Sequence, residues 1–260
     1  MAELKVGLAL GAGSARGLAN IGVVQVLEEH QIPIDVITGT SAGAVVAGLY
    51  ASGTSMDMIG RMTNELNWND LVNFTITRRG LVSSEPIYQM LRILTKGQAF
   101  EDLAIPAAVV AADITTGEEV VISSGGVAEG VRASLSIPGV FVPVELNGRL
   151  LVDGALVNRV PASVCRDLGA DLVIAVDVGW PPLRKNVRNL PDVIMSTIDI
   201  LNRQSAKFRP IEADILLEPE LGNVGSTQLN RAEEIIEAGR RAASAHVEQI
   251  KRKIRSRIDS

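Results

Sequence analysis

The segment Gly39-Thr40-Ser41-Ala42-Gly43 constrains the fold more than any other part of the chain. The apolar residues before it predict a buried strand, and Ala42 to Tyr50 predict a helix. A serine between two glycines at a strand-to-helix corner is typical of a nucleophile elbow, because glycine allows the close backbone approach of a sharp turn. The helix start would also place partial positive charge beside the hydroxyl. The alternative is that Ser41 only caps the helix, and we favour the nucleophile.

A second glycine-rich corner, Gly11-Ala12-Gly13-Ser14-Ala15-Arg16-Gly17, lies near the start of the chain. It follows an apolar strand pattern at Lys5 to Leu10 and precedes a helical pattern from Leu18 to His30. Because the first N–H groups of a helix have no partner within that helix, this arrangement can bind a phosphate or a developing oxyanion. Dinucleotide-binding proteins use the same design, so both functions stay open on this segment.

The remaining pattern alternates short apolar strands with helices, which predicts an α/β fold. The strand, helix and strand between residues 5 and 40 predict parallel pairing, and Asn147-Gly148 predicts a hairpin turn. Further strands are expected at 107–113, 119–123, 142–146, 149–152, 172–177 and 215–217, and further helices at 127–135, 161–169, 193–208 and about 228–257. No repeat or linker is evident. We therefore expect one domain over residues 1–260, with its core at about 5–220.

Residues 56–94 have a less regular pattern that is rich in adaptable apolar side chains. These side chains could line an apolar substrate groove or form the inner face of two covering helices, which is the commoner case. The residues in question are Met56, Met58, Met62, Trp68, Phe74, Tyr88 and Met90.

Composition narrows the class of protein. The formal net charge of −5 argues against a general nucleic-acid-binding protein. The single Cys165 excludes an intramolecular disulfide and a cysteine-rich metal site, and neither a leader pattern nor an uncharged apolar run of about 18 residues is evident. These features predict a cytoplasmic protein. Seven Lys and Arg residues between 240 and 260 could contact an anionic membrane surface transiently, although a solvated helix face is the simpler interpretation.

A serine nucleophile needs a base, which is usually histidine. His30 lies at the far end of the first predicted helix, about 20 Å from the loop end of that helix, and is excluded. His246 follows the order expected of an α/β-hydrolase triad, but it borders the apolar stripe of the last helix and is expected at the surface.

A carboxylate is therefore the expected base. Asp113, Asp153 and Asp177 each end an apolar strand, and spacing alone does not choose among them. Asp153 is favoured because Gly154 follows it and allows close backbone approach. Burial could raise the pKa of such a carboxyl group from about 3.9, which would make it a better base.

Three motifs in order resemble the patatin-like phospholipases: Gly11 to Gly17 with Arg16, then Gly39 to Gly43, then Asp153-Gly154-Ala155. Arg132-Ala133-Ser134, Ile137-Pro138-Gly139 and the position of Asp113 extend the resemblance over most of the chain. The resemblance implies a three-layer α/β/α sandwich with a mostly parallel central sheet.

The resemblance also implies a site. Ser41 would be the nucleophile and Asp153 the general base of a dyad without histidine. The backbone N–H groups of Ala12, Gly13 and Ser14 would form the oxyanion hole, with Arg16 holding their loop. The substrate would be a lipid ester, and neither a metal nor an organic cofactor would be needed.

The chain departs from the family pattern at two loop positions. Ala12 and Ser14 stand where the family usually has glycine, so each Cβ could narrow the cavity or strain the loop, and Asn20 stands where many bacterial relatives have histidine. A non-catalytic lipid-binding or regulatory protein is therefore the alternative. An NAD(P)-dependent oxidoreductase is disfavoured because no acidic residue ends the second strand to bind a ribose.

Overall fold

The computed structural model of the protein describes residues 4–65, 73–74, 82–182, 187 and 190–259. Its strands are β1 (Val6–Leu10), β2 (Val36–Thr40), β3 (Asn73–Phe74), β4 (Val82–Ser83), β5 (Ala107–Asp113), β6 (Glu119–Ile122), β7 (Val144–Leu146), β8 (Arg149–Asp153), β9 (Leu172–Val176) and β10 (Ile215–Leu217). Its α-helices are α1 (Ala19–Glu29), α2 (Ala42–Ala51), α3 (Met56–Glu65), α4 (Glu85–Leu94), α5 (Val127–Ser134), α6 (Ala162–Asp167), α7 (Leu190–Ala206) and α8 (Ala232–Ile258).

One mixed sheet forms the centre of the fold, with the strand order β10-β9-β1-β2-β5-β8-β7 and with β6 paired to β5. Strands β10, β9, β1, β2 and β5 are parallel, whereas β6 and β8 run antiparallel to β5 and β7 runs antiparallel to β8. Parallel strands covered on both faces are continuous apolar runs. Every residue of β1, β2 and β9 is accordingly buried.

Helices cover both faces of this sheet, which makes the fold the expected three-layer α/β/α sandwich. Successive residues of β1 point to opposite faces. Leu8 belongs to the large core with side chains of α1, α2 and α8, and Ala9 belongs to a smaller core with Cys165 of α6.

The pairing of β5 brings together two strand ends that are far apart in sequence. Thr40, the last residue of β2, pairs with Val110, and Asp153, the last residue of β8, pairs with the adjacent Ala111. Because β2 is parallel and β8 antiparallel to β5, their final residues meet. Asp113 lies three residues past Val110 on the same strand, which is about 10 Å further along.

Candidate active site

Ser41 occupies a strained corner between β2 and α2. Its backbone has φ 55° and ψ −119°, a conformation that L-residues rarely adopt and that costs on the order of 1–3 kcal/mol. A Cβ on Gly39 would lie 2.3 Å from the carbonyl oxygen of Gly43, and a Cβ on Gly43 would lie 2.1 Å from that of Leu10. Both glycines are therefore required by close backbone contact, and the predicted elbow is present.

Ser134 of α5 holds this corner from the side. Its Oγ accepts a hydrogen bond from the Ser41 N–H at 2.9 Å and donates one to the Val110 carbonyl at 2.6 Å. The hydroxyl thus links the elbow to the central strand β5. In the sequence, Ser134 belongs only to the family resemblance, and no local pattern indicates this contact across 93 residues.

The Ser41 hydroxyl donates a hydrogen bond to Asp153 Oδ2 at 2.7 Å. Asp153 is placed by the hairpin of β7 and β8 and by Gly154, where a Cβ would lie 2.1 Å from the Val110 carbonyl oxygen. The close approach expected of Gly154 is therefore real. It brings the end of an antiparallel strand, rather than of a parallel one, to the elbow.

The environment of Asp153 favours its protonated form more than water does. The side chain is buried, and burial raises its pKa to about 6, although hydrogen bonds from the Ser41 hydroxyl and the Ala155 N–H oppose the rise. The carboxyl group is still ionised at neutral pH. A carboxylate with a pKa close to neutral is a much better proton acceptor than an ordinary aspartate.

The other two candidate carboxylates have different partners. Asp113 accepts hydrogen bonds from the N–H and hydroxyl of Thr115, and these bonds lower the pKa of its carboxyl group. Asp177 forms an ion pair with Arg159 and accepts the N–H of Gly179. Of the three aspartates left open by the sequence, Asp153 alone has a hydrogen bond to Ser41 among the described residues.

The two histidines lie away from Ser41. His30 is an exposed residue that ends α1. His246 is on α8, where its Nδ1 is 2.8 Å from the carbonyl oxygen of Ala242 one turn earlier. Neither histidine lines the cavities that border Ser41.

The glycine-rich loop differs in one respect from the expected oxyanion hole. The Ala12 N–H donates to the Arg159 carbonyl at 2.9 Å, so this donor is already occupied. The N–H groups of Gly13 and Ser14 make no hydrogen bond to any described residue. The expectation of three available donors is therefore wrong for Ala12, and two of the named N–H groups remain.

Ser14 carries the strain that its Cβ was expected to introduce. Its φ of 49° lies in the left-handed region, where a non-glycine residue costs about 1–2 kcal/mol. The residue lines both cavities beside Ser41.

Arg16 is buried behind this loop and fixes it to two distant segments. Its guanidinium group donates to the carbonyl oxygens of Val178 and Val224, at 2.8–3.0 Å and 3.0 Å. Burial, with the nearby charges of Arg159 and Arg203, lowers the pKa of Arg16 to about 10, so it stays protonated at neutral pH.

Arg159 is a contributor that the sequence did not reveal. It accepts the Ala12 N–H through its carbonyl, donates to the Ala12 carbonyl at 3.1 Å and to that of Gly179, and forms an ion pair with Asp177. Its guanidinium carbon also lies 4.1 Å from the ring centroid of Trp180. Arg159 thus fixes the loop at the residue directly before the two available donors.

Two cavities of different polarity meet at Ser41. The first, of about 180 Å³, is almost entirely apolar and extends between α1, α2, α3 and α4. Ser41 and Ala42 lie at one boundary, and the wall includes Ile21, Val45, Leu49, Met62, Met90 and Leu91. Met62 and Met90 thus fit both interpretations of residues 56–94, as members of covering helices and as a groove lining, while Trp68 lies outside the described residues.

The second cavity, of about 70 Å³, lies on the other side of Ser41 and is more polar. Asp153, Arg159 and Trp180 form part of its wall, and α7 covers it with Met195, Ile198, Asp199 and Asn202. Ser14, Ser41 and Ile137 border both cavities. A bound ester could therefore place its two halves in different surroundings.

Among the described residues, no group of three or more His, Cys, Asp or Glu side chains could hold a metal ion. None of the described helices is both long and apolar enough to cross a membrane.

Known proteins provide an independent comparison. The family model of the patatin-like phospholipases matches residues 8–166, which is more than half of the chain. An uncharacterized NTE family protein of Mycobacterium tuberculosis is 38% identical over 177 residues, which cover 67% of this chain and 49% of the relative. Lysophospholipase NTE1 of Kluyveromyces lactis is 29% identical over 281 residues, covering 90% of this chain and 18% of that protein. The chain thus spans about half the length, or less, of these curated relatives.

Solved structures share the fold at low sequence identity. VipD from Legionella pneumophila is 14% identical with a TM-score of 0.58, over 95% of this chain and 67% of that one. The type III effector protein ExoU of Pseudomonas aeruginosa is 14% identical with a TM-score of 0.52, over 96% of this chain and 53% of that one.

Proposed function

This chain belongs to the patatin-like phospholipase family, and we propose that it is a serine acyl hydrolase that cleaves carboxylic ester bonds of lipids. The observation that carries the proposal is the hydrogen bond of 2.7 Å from Ser41 Oγ to a buried Asp153 carboxylate, at a strained corner between two cavities. The strain supports a role beyond helix capping, because Ser41 makes no side-chain cap hydrogen bond.

In the proposed reaction, Ser41 Oγ attacks the ester carbonyl carbon while its proton passes to Asp153 Oδ2. The tetrahedral intermediate collapses with cleavage of the bond to the alcohol oxygen, and the protonated Asp153 returns the proton to this leaving group. Water then gives up a proton to Asp153 and attacks the acyl-enzyme carbonyl. When this second tetrahedral intermediate collapses, the bond to Ser41 Oγ breaks, Asp153 returns the proton to Ser41 Oγ, and the fatty acid is released. A pKa of about 6 suits a group that must accept and return a proton near neutral pH.

The developing oxyanion would be stabilised by the N–H groups of Gly13 and Ser14. Donors that are fixed before the reaction stabilise charge without reorganisation, and one such donor is worth roughly 3–4 kcal/mol in known cases. The hydrogen bonds of Arg16 and Arg159 would keep the loop in this position. All of these groups belong to the protein itself, so the chemistry needs neither a metal nor an organic cofactor.

The two cavities support a substrate with one apolar acyl chain and a more polar alcohol portion. The acyl chain would enter the apolar cavity between α1, α2, α3 and α4, and the leaving group would occupy the cavity covered by α7. Because the apolar cavity has room for a chain but few polar partners, burial of methylene groups would provide most of the binding energy, at about 0.8 kcal/mol each.

Replacing Ser41 with alanine tests the proposal. We expect Ser41→Ala to abolish hydrolysis of a short-chain p-nitrophenyl ester and covalent labelling by a fluorophosphonate probe, while the folded structure persists. Ser163→Ala is the matched control, because Ser163 is an exposed serine away from Asp153 and should keep full activity. Retained turnover in Ser41→Ala would refute the proposal, and a wild-type protein that neither reacts nor labels would favour the non-catalytic alternative.

A further inference from the structure

Exposed apolar side chains are concentrated on α7 and on the residues next to its two ends. Among the large hydrophobic residues that are exposed in the described part of the chain, six of eleven lie between residues 187 and 208. They are Val187, Leu190, Val193, Ile200, Leu201 and Phe208. Phe208, in the turn after α7, is 84% exposed. A cluster of this kind is unusual on a monomer surface that only faces water.

Four of these residues form a stripe along α7. With about 100° of rotation per residue, Leu190, Val193, Ile200 and Leu201 fall within an arc of about 100°. We call these four residues the α7 stripe. The same arc contains the uncharged residues Thr197 and Gln204, whereas both aspartates of the helix lie outside it.

The opposite face of α7 already has its own contacts. Met195, Ile198 and Asn202 line the smaller, more polar cavity beside Ser41 and Asp153. The helix therefore covers the candidate active site with one face and leaves the α7 stripe outward. The α7 stripe does not pack in the core, and it lies on the outer side of the helix that covers the candidate active site.

Cationic residues follow the C-terminal end of the helix. Lys207 donates a hydrogen bond to Gln204 and Arg209 donates one to the backbone carbonyl of Val157, and neither forms an ion pair with a carboxylate among the described residues. An apolar helix face next to such cations suits an anionic membrane interface, where apolar side chains insert and cations contact the headgroups.

The basic C-terminal helix, which the sequence suggested for this role, is less suited to it. Arg240 pairs with Glu29 at 2.9 Å, and Arg257 and Lys253 approach Asp214 at 3.2 Å and 3.9 Å. These pairs attach α8 to the rest of the fold. Their positive charges are therefore partly neutralised within the protein.

We propose that the α7 stripe and Phe208 insert into the interface of an anionic lipid bilayer, while Lys207 and Arg209 contact the headgroups. This inference rests on the proposed function, because it places the covered site next to the lipid that would be its substrate. A second copy of the chain fits less well. One helical stripe is small beside the roughly 800 Å² per partner of a stable interface.

Vesicle binding measured separately from catalysis tests this inference. We expect the wild-type protein to co-sediment with vesicles of phosphatidylcholine and phosphatidylglycerol, and more weakly with phosphatidylcholine alone. The double variant Leu201→Ser/Phe208→Ser should bind the mixed vesicles at least tenfold more weakly. Lys207→Glu should lower binding to a smaller degree, with an effect that salt reduces.

The control is Ile93→Ser, because Ile93 is 77% exposed but belongs to α4, outside the α7 stripe. It should bind vesicles like the wild type. All of these variants should hydrolyse a water-soluble p-nitrophenyl ester at the wild-type rate, since none of the four positions lines the cavities at Ser41.

Unchanged vesicle binding in Leu201→Ser/Phe208→Ser, or a wild-type protein that binds no vesicle, would overturn the inference. A wild-type dimer that the double variant loses, without vesicle binding, would also overturn it in favour of a second copy of the chain. Stripe-dependent vesicle binding without ester hydrolysis would support the inference and contradict the proposed function, so the two failures are distinguishable.

Discussion

The two glycine-rich corners beside the candidate site are held in place in different ways. The elbow at Gly39 to Gly43 is fixed by close backbone packing, because a Cβ on either glycine would collide with a backbone carbonyl. The loop at Gly11 to Gly17 is held by side-chain hydrogen bonds across the fold, because its own Arg16 donates to the carbonyls of Val178 and Val224 and Arg159 donates to the Ala12 carbonyl. The elbow has no room for a side chain at either glycine. The loop has no room at Gly11, where a Cβ would lie 2.5 Å from the Val176 carbonyl oxygen, but it accepts side chains at Ala12 and Ser14, where the family resemblance implies glycine.

The largest expected effect concerns the elbow. Gly43→Ala would place a Cβ 2.1 Å from the Leu10 carbonyl oxygen, so β1 and α2 would have to separate. We expect the free energy of unfolding to fall by about 3 kcal/mol or more and ester hydrolysis to be lost. Urea unfolding and a p-nitrophenyl ester assay would measure both.

The control for this substitution is Gly60→Ala in α3. A Cβ at Gly60 would lie at least 3.5 Å from its neighbours, so alanine should raise the free energy of unfolding by about 0.5–1 kcal/mol. Equal effects of the two substitutions would show that close contact at the elbow is not decisive.

The second prediction concerns the carboxylate that the elbow faces. Burial raises the folded-state pKa of Asp153 to about 6 from an unfolded value near 3.9. The folded protein therefore loses stability as the pH rises from about 4 to about 6, and the full loss persists above pH 6. Asp153→Asn should therefore raise the free energy of unfolding at pH 7–8 by up to about 3 kcal/mol and abolish hydrolysis.

The gain in stability should depend on pH. Below pH 4 the carboxyl group is protonated in both states, so the variant and the wild type should have equal stability apart from any hydrogen-bond difference. Chemical denaturation between pH 4 and 8 would measure this. A variant that is less stable than the wild type at pH 8 would contradict the assigned electrostatics.

The third prediction tests how the loop is held. Arg159→Met retains most of the side-chain volume but removes the donors to the carbonyls of Ala12 and Gly179. We expect kcat to fall roughly ten- to a hundredfold, which corresponds to about 1.4–2.8 kcal/mol, with a smaller change in KM. Asp177→Asn is the control, since it keeps the Arg159 side chain and should lower kcat less than Arg159→Met does. Wild-type kcat in a folded Arg159→Met protein would show that the loop needs no remote support.

The smallest expected effect is at Ser14. Because its φ is 49°, Ser14→Gly should relieve backbone strain and raise the free energy of unfolding by about 0.5–1 kcal/mol, after the greater unfolded-state entropy of glycine is subtracted. Gln31→Gly, at an exposed residue with φ 54°, should give a similar gain away from the site. Activity should persist, since the N–H donor remains. A tenfold loss of activity in Ser14→Gly would assign a role to the hydroxyl instead.

The same contrast explains how much could be predicted from the sequence. The elbow and the hairpin at Asn147-Gly148 are encoded by a few consecutive residues, and both are present, with φ 50° and 74° at the hairpin turn. The roles of Ser134 and Arg159 depend on contacts between residues that are distant in the sequence, with separations of 93 and 147 positions, and the order of the strands also depends on distant contacts. Such contacts follow from sheet register, which local patterns do not specify.

The choice of Asp153 depended partly on local sequence and partly on contacts between residues that are distant in the sequence. Spacing left three aspartates, and the preference for Asp153 rested on Gly154 and on a family resemblance. The structure places Asp153 beside Ser41 because β8 ends where β2 ends along β5, and this head-to-head meeting of strands has no signature in either segment alone. The engagement of the Ala12 N–H by Arg159 was unpredictable for the same reason.

The central claim is that Asp153, without an imidazole, activates the hydroxyl of Ser41. The most direct test is the rate of fluorophosphonate labelling of Ser41 as a function of pH. We predict that the labelling rate rises with pH through about 6 and then levels off. The double variant His30→Gln/His246→Gln should show the same rates. Asp153→Asn should be labelled much more slowly, and its rate should no longer change at a pH of about 6. Rapid labelling that persists in Asp153→Asn, or that disappears with the histidines, would contradict the account.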